Sequence, residues 1–363
     1  MAALHCDVLV VGAGPAGSSA ARAAAAAGAS VIFIEKRARI GAPVQCAEWV
    51  PRSILSRLPR SARVVVQDIR AMRSHLPGQP PVVTPAPGAI IDRGRFDRAL
   101  AEAACAAGAR LLAGTRAVAL SDRTLVVERA GERSGILART LIAADGPRSR
   151  MRAWTGGGQP RFVQALQHRM PLVAPLHTTE CFLRRSIPGG YGWVFPRGPV
   201  ANVGVGVDPA LGVRALDAHR VFVQELLGLG VVHEQVLERT GGVLPVSGLL
   251  ALRRGRVLFA GDAAGQCHPI TGAGIASALI CGELAGAAAA EAALQGDLGA
   301  LDEYVEEVTE LLGPSLDLGV ARRALQLATW GDPERWAATL RRSWVAFDDY
   351  HRRPRMETTQ CPA

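Results

Sequence analysis

Lysine is almost missing from this chain. Lys36 is the single one among 41 basic residues, and arginine supplies the rest. The arginines form no stripe interleaved with aromatic rings, which excludes the usual nucleic-acid face. Paired cysteine spacing is missing too. Cys6, Cys46, Cys105, Cys181, Cys267, Cys281 and Cys361 are scattered and odd in number, with no CxxC and no Cys/His metal spacing. That excludes a disulfide scaffold or a zinc module and predicts free thiols in a reducing compartment. No uncharged apolar run reaches the roughly 18 residues of a membrane span, so a soluble protein is expected. No basic leader precedes the first apolar run, so a cytoplasmic location is expected.

What is present bounds the rest. The 363 residues are 49% hydrophobic, enough for two domains with real cores. The net charge of +9 is compatible with an acidic substrate, an acidic protein partner or an anionic membrane surface.

The stretch Val8–Ala16, VLVVGAGPA, organises the chain. Four apolar β-formers run into Gly12, Gly14 and Gly17, followed by an alanine-rich helix from Ser18 to Ala27. A second apolar run, Val31–Ile34, then ends at Glu35. Strand, glycine turn, helix, strand and acid make a dinucleotide-binding βαβ unit. Gly12 permits the tight turn, Gly14 leaves room for a pyrophosphate, and Gly17 lets helix and strand pack closely. The helix N-terminus offers N–H groups to an anion. Glu35 is spaced to accept from ribose hydroxyls.

After Glu35 the chain is rich in Gly, Pro and charge to Trp49 and reads as an ordered loop at the strand end. Val64–Arg73 alternates like a strand. Leu76–Gly88 is Pro/Gly-rich and reads as irregular. A helix follows Asp92, with Phe96, Leu100, Ala103, Ala104 and Ala107 at helical spacing. Val126–Glu128 and Ile136–Ala138 read as a hairpin, and Thr140–Ala144 as a separate short strand before Asp145-Gly146. From Arg161 to Val246 alternation dominates, with one helix near Leu216–Leu227, as in an antiparallel sheet. The α/β texture returns at Arg256–Ala264, and helices run from Ile275 toward the end. Met356–Ala363 is expected to be a frayed tail.

Several separated motifs carry a resemblance. Gly12-Ala13-Gly14-Pro15-Ala16-Gly17, Asp145-Gly146 and Gly261-Asp262 resemble the FAD motifs of the p-hydroxybenzoate hydroxylase-like flavoproteins. Pro43–Glu48, Asp92–Asp97, Ala165–Met170, Tyr191–Pro196 and Pro269–Ile275 resemble the geranylgeranyl reductases within that superfamily. The likeness runs from Asp7 to about Leu294. It departs at the loop that usually reads Cys-Gly-Glu-Gly, here Cys46-Ala47-Glu48-Trp49, where Trp49 reshapes the wall near the flavin. It departs also at His268, where the archaeal lipid reductases have aspartate, and in a shorter C-terminal region.

The resemblance implies an α/β fold: a FAD-binding doubly wound, Rossmann-like domain, an inserted antiparallel substrate domain and a C-terminal helical region. The expected division is 1–62, 90–160 and 250–297 for FAD, 63–89 and 161–249 for substrate, and 298–363 for the helices. FAD contacts are implied for Gly12, Gly14, Pro15, Ala16, Gly17, Glu35, Lys36, Cys46, Ala47, Arg93, Val118, Asp145, Gly146, Asp262, Gly272, Gly274 and Ile275. Arg93 has paired donors suited to phosphate. Asp262 suits ribityl hydroxyls or a helix cap. Gly274 and Ile275 open a helix whose amides can face the flavin's negative edge.

Four residues are candidates for the chemistry. Cys46 either tunes or protonates, or simply closes a loop over the cofactor. Tyr191 and Trp193 share a strand face and either line a substrate cavity or pack a core. His268 is either a proton donor or substrate contact, or a structural hydrogen bonder. His168 reads as packing. The implied reaction is hydride transfer from reduced FAD to a carbon–carbon double bond of an isoprenoid. The alternative is an FAD-dependent monooxygenase that hydroxylates an aromatic ring, including a side chain such as tryptophan in a peptide or an acidic protein. Either needs a hydrophobic or aromatic substrate. No second glycine fingerprint marks a nicotinamide domain, so electrons come from an external donor, NAD(P)H or a reduced carrier protein.

Overall fold

A computed structural model describes residues 4–58 and 62–352. Cys361 and the expected tail at 356–363 lie outside the described residues.

The βαβ unit forms as its residues dictate. β1 (Leu4–Val11), α1 (Pro15–Ala26) and β2 (Val31–Glu35) follow in order, and the strands are parallel with Val8 opposite Val31. A Cβ on Gly12 would be driven into the Ala144 carbonyl, and one on Gly17 into the Gly12 carbonyl. Gly12 also has a φ of +106°, so both glycines are required by the turn and the close packing.

Two sheets carry the remaining elements. β3 (Trp49–Pro51), β4 (Val65–His75), β5 (Val82–Ile91), α2 (Arg93–Ala106), β6 (Arg110–Ala113), β7 (Thr115–Ser121), β8 (Thr124–Arg129), β9 (Glu132–Ala143) and α3 (Arg150–Trp154) make the first half. β10 (Phe162–Pro171), β11 (Thr178–Phe182), β12 (Gly192–Arg197), β13 (Val200–Val207), α4 (Ala215–Gly228), β14 (Glu238–Pro245), β15 (Arg253–Arg254) and β16 (Val257–Phe259) follow. The chain then turns helical: α5 (Ile275–Gln295), α6 (Gly299–Ala328), α7 (Pro333–Ser343) and α8 (Asp348–His351). The first sheet runs β15-β16-β9-β1-β2-β6, with the β7–β8 hairpin attached through β9. The second runs β14-β10-β13-β12-β11-β4-β5-β3 and is antiparallel except where β11 lies parallel to β4.

Three expectations need correction. The stretch Leu76–Gly88 is not wholly irregular, because β5 begins at Val82. Pro85 and Pro87 fit there because they flank a register break between Ile69 and Ala71 of β4. On the other side, β3 covers only Gly88–Ile90, so neither proline needs an N–H. The second correction concerns β9, one continuous strand rather than two. Its first half pairs antiparallel with β8 and its second half parallel with β1. Third, β3 lies within 1–62 but pairs into the second sheet.

α5 is long and apolar enough to cross a membrane by length and composition. Here it packs on α1, and its Glu283 pairs with Arg22 and Arg57. Gly282 and Gly286 let it approach α1 backbone to backbone: a Cβ on Gly286 would enter the Ala20 carbonyl. Gly286→Val is therefore expected to destabilise the protein by about 1–3 kcal/mol in urea unfolding. Any gain in helix propensity is below about 1 kcal/mol and does not offset the clash with rigid backbone. An unchanged midpoint and slope would show that the helices can move apart without cost.

α7 and α8 cover one face of the second sheet. Trp336, Trp344, Phe347 and Tyr350 are buried there with Leu183 and Ile270, and Tyr191 and Phe195 pack against them.

Candidate cofactor site

The carboxyl ends of β1 and β2 and the start of α1 frame one end of the site. Gly14 caps α1 with φ −78° and ψ −172°, a conformation open to any residue. A Cβ there would meet nothing within 4 Å. Neither backbone strain nor crowding by the protein demands glycine, so what Gly14 keeps clear is the space before the helix. No side chain caps α1, and Pro15 opens it, so the N–H groups of its first turn, including those of Ala16 and Gly17, are offered outward. Glu35 stands over this turn. Its carboxylate accepts from the Ala13 amide at 3.1 Å and the Arg37 amide at 3.0 Å. Lys36 beside it is exposed. Val118 falls at a bulge in β7 between Ala117 and Ala119, which takes its backbone out of the ladder.

Two carboxyls farther along keep oxygens without a donor. One oxygen of Asp145 accepts from the Arg150 and Met151 amides, while Oδ1 is buried without a partner. Burial raises its pKa, against the hydrogen bonds it accepts. Gly146 follows with a φ of +84°. Asp262 sits after β16, in a turn whose Gly261 would bring a Cβ to 3.0 Å from Ala16. Burial pushes the Asp262 carboxyl up to about 6, with Arg93's charge opposing. No hydrogen bond from a described residue reaches this carboxylate. Gly274 lies beside it, since a Cβ there would be 3.5 Å from Asp262 Oδ1. Gly274 caps α5 without a side-chain cap, Ile275 begins the helix, and Gly272 turns the preceding loop with φ +70°.

Arg93 is tied within its own helix. Its guanidinium forks onto Asp97 one turn later, at 3.1–3.2 Å. Burial disfavours its charge, but the neighbouring Asp97 carboxylate outweighs that and raises its pKa. Nε and Nη2 are spent on Asp97, Nη1 has no hydrogen bond to a described residue, and the cation's field reaches Asp262.

The loop with Cys46 and Ala47 is held from the second sheet. Gln167 Nε2 donates to the Cys46 carbonyl at 3.1 Å, and Asn202 Nδ2 to the Ala47 carbonyl at 3.2 Å. The Trp193 indole donates to Gln167 Oε1 at 2.9 Å, and the Tyr191 hydroxyl to the Thr271 carbonyl at 2.7 Å. The two rings do share a face, with centroids 5.8 Å apart. Both polar handles are committed to the protein, so neither residue is a free proton donor, and burial raises Tyr191's pKa well above the usual value. Trp49 lies against Gly88 of β5, its indole N–H buried without a partner.

For His268 the hydrogen bonds favour the structural one of the two readings. Its Nδ1 accepts from the Ile270 and Thr271 amides, both at 3.3 Å. The network therefore assigns the proton to Nε2, which donates to the Tyr350 hydroxyl at 3.1 Å. Burial lowers its pKa to about 4, and His351 adds to this. A neutral ring with both nitrogens engaged braces the 269–274 loop against α8 and supplies no proton at neutral pH. His168 is half-buried against His219, with ring centroids 4.1 Å apart.

Sequence reasoning passed over Glu48, Arg169, Arg197, Asn202 and Gln167 as site residues. The only local signal was Glu48's place in the cysteine loop, because its partners are 45 to 154 residues away.

These groups call for a ligand with an anion for a helix start and hydroxyl donors for two half-buried carboxyls. A family model described as FAD dependent oxidoreductase matches residues 7–146. A digeranylgeranylglycerophospholipid reductase from Methanothrix thermoacetophila is 36% identical, over 86% of this chain and 85% of that protein. A solved geranylgeranyl bacteriochlorophyll reductase-like protein from Thermoplasma acidophilum superposes with a TM-score of 0.86 at 27% identity, over 95% of this chain and 93% of that one. Aklavinone-11 hydroxylase, solved with FAD and aklavinone, shares the fold at a TM-score of 0.70 and 24% identity, over 95% of this chain and 71% of that one.

Proposed function

Since this chain belongs to the geranylgeranyl reductase family of FAD-dependent oxidoreductases, we propose that it saturates carbon–carbon double bonds of an isoprenoid chain. The observation that supports this most is likeness along 86% of the chain to a reductase of digeranylgeranylglycerophospholipids.

FAD, when bound and reduced, supplies the hydride equivalent. The chain's residues do the rest. Glu35 accepts from the adenosine ribose, and the open start of α1 before Gly14 takes the pyrophosphate. Asp262 and the free oxygen of Asp145 receive hydroxyl donors that the chain does not supply. The uncapped start of α5 at Gly274 and Ile275 favours negative charge on the reduced ring. Tyr191 and Trp193 wall the substrate side with their polar groups tied back, which leaves apolar faces for a prenyl chain. Of the four residues considered for chemistry, Cys46 alone keeps an uncommitted hydrogen, and it is the candidate to hold the proton that completes saturation. Electrons reach the protein from an external donor, NAD(P)H or a reduced carrier protein.

Anaerobic single turnover tests the reading. The FAD-loaded protein, reduced chemically and mixed with a geranylgeranyl lipid, is expected to return oxidised flavin and a product with two hydrogens added per double bond. Product mass spectrometry decides. No hydrogenation of any prenyl lipid, together with oxygen-dependent gain of one oxygen atom by an aromatic acceptor, would replace this reading with a hydroxylase.

A further inference from the structure

We infer that Glu48 is the positioning residue that sets Cys46 at the redox site, an inference that rests on the functional reading above only for what Cys46 faces. Glu48 is 1% exposed. Its backbone has a φ of +73°, a left-handed conformation costly for a side chain of this size. Such strain persists where the surroundings over-determine it, and here they do. Oε1 accepts from the Arg93 amide at the start of α2, at 3.1 Å. Oε2 accepts from Asn202 Nδ2 at 2.9 Å, Arg197 Nε at 3.1 Å and Arg169 Nη2 at 3.3 Å. The backbone carbonyl accepts from Ile91 at 2.9 Å.

One carboxylate thus ties α2 to β10, β12 and β13. The loop between them is held further, because Gln167 and Asn202 donate to the carbonyls of Cys46 and Ala47. Glu48's own amide donates to Cys46 Sγ at 3.2 Å, so wherever Glu48 is fixed the thiol is fixed too. A neutral residue could fill this volume. Only a carboxylate accepts on every side from two guanidiniums, an amide side chain and a helix amide.

Glu48→Gln is the test, because it preserves shape. Each arginine keeps another carboxylate, Arg169 with Glu238 at 2.6 Å and Arg197 with Asp92 at 3.5 Å, so neither cation is stranded. The carboxamide, however, must present N–H to one set of donors, and the loop must shift. On the FAD-loaded protein we expect maleimide labelling of Cys46 to accelerate about tenfold, a loss near that of one buried hydrogen bond. Labelling of exposed Cys105, mapped by peptide mass, should not change. The visible flavin band should shift, and FAD affinity should be kept. Labelling and spectrum are independent of any substrate, so they stand or fall apart from the prenyl assignment. Wild-type labelling and spectrum in E48Q overturn the proposal, and so does loss of FAD with a lowered unfolding midpoint, which would make Glu48 a fold residue. If E48Q yields no folded protein, Arg197→Gln removes one donor to Glu48 without touching the Cys46 or Ala47 carbonyls and must itself accelerate Cys46 labelling; a folded R197Q that labels at the wild-type rate overturns the proposal equally.

Discussion

A Gly14→Val variant is expected to fold as well as the wild type and to be purified without FAD. The backbone at Gly14 is in the extended region, and no protein atom lies within 4 Å of a Cβ there. Losing glycine stiffens the unfolded chain by about 0.4–1 kcal/mol, and a β-branched N-cap costs a similar amount, so the two nearly cancel. The valine methyls, however, fill the space through which a phosphate must approach the first turn of α1. Charge-assisted hydrogen bonds contribute about 1.5–3 kcal/mol each. Losing two weakens FAD binding by about a hundredfold or more. Calorimetry of the apoproteins and fluorescence titration with FAD separate the two effects. A G14V protein that binds FAD like the wild type would move the pyrophosphate elsewhere. Gly17 makes the contrast, since any side chain there strikes the Gly12 carbonyl and harms the fold itself.

Asp262→Ala is expected to change stability and cofactor binding in opposite directions. In the apoprotein this half-buried carboxyl has no hydrogen-bond donor among the described residues, and desolvation raises its pKa from 3.8 to about 6. The folded state therefore holds the proton more tightly than the unfolded state. The cost is absent below about pH 4, grows as pH rises through 6, and is then constant. It is on the order of 2 kcal/mol at neutral pH. D262A should remove it, raise the unfolding midpoint of the apoprotein at pH 7, and erase the decline in stability between pH 4 and 6. Retention of FAD should fall about ten- to a hundredfold, because the ribityl hydroxyls lose a charged acceptor. A yellow D262A protein with wild-type affinity would show that the carboxylate faces something other than the cofactor.

What could be read from the sequence follows how local the physical cause is. Gly14 and Gly17 answer to the turn itself, Gly12 to its own left-handed backbone as well as to the distant Ala144 carbonyl, and Glu35 to the end of its own strand. The turn and the strand end form at those residues. The prolines of β5 mislead because their effect depends on a neighbouring strand that stops short at Gly88. The single strand β9 reads as two because its two halves meet different partners in opposite senses. Glu48 shows its role only when Arg169, Arg197 and Asn202 are brought to it by the second sheet. His268 and Trp193 carry chemistry that a sequence advertises, and only their hydrogen-bond partners show that His268 braces a loop and Trp193 holds Gln167.

The way β1 is flanked also limits how the molecule can be assembled. Val8 pairs with Val31 on one side and Thr140 on the other, and Leu141 of β9 in turn pairs with Val257. The small-residue face of α1 is covered only when Gly282 and Gly286 arrive. No early portion of the chain is therefore a finished nucleotide-binding module. Such distant pairings slow folding, and partly made chains expose apolar surface in the meantime. The βαβ unit that marks the family most clearly in sequence is thus one of the last parts able to stand as a closed structure.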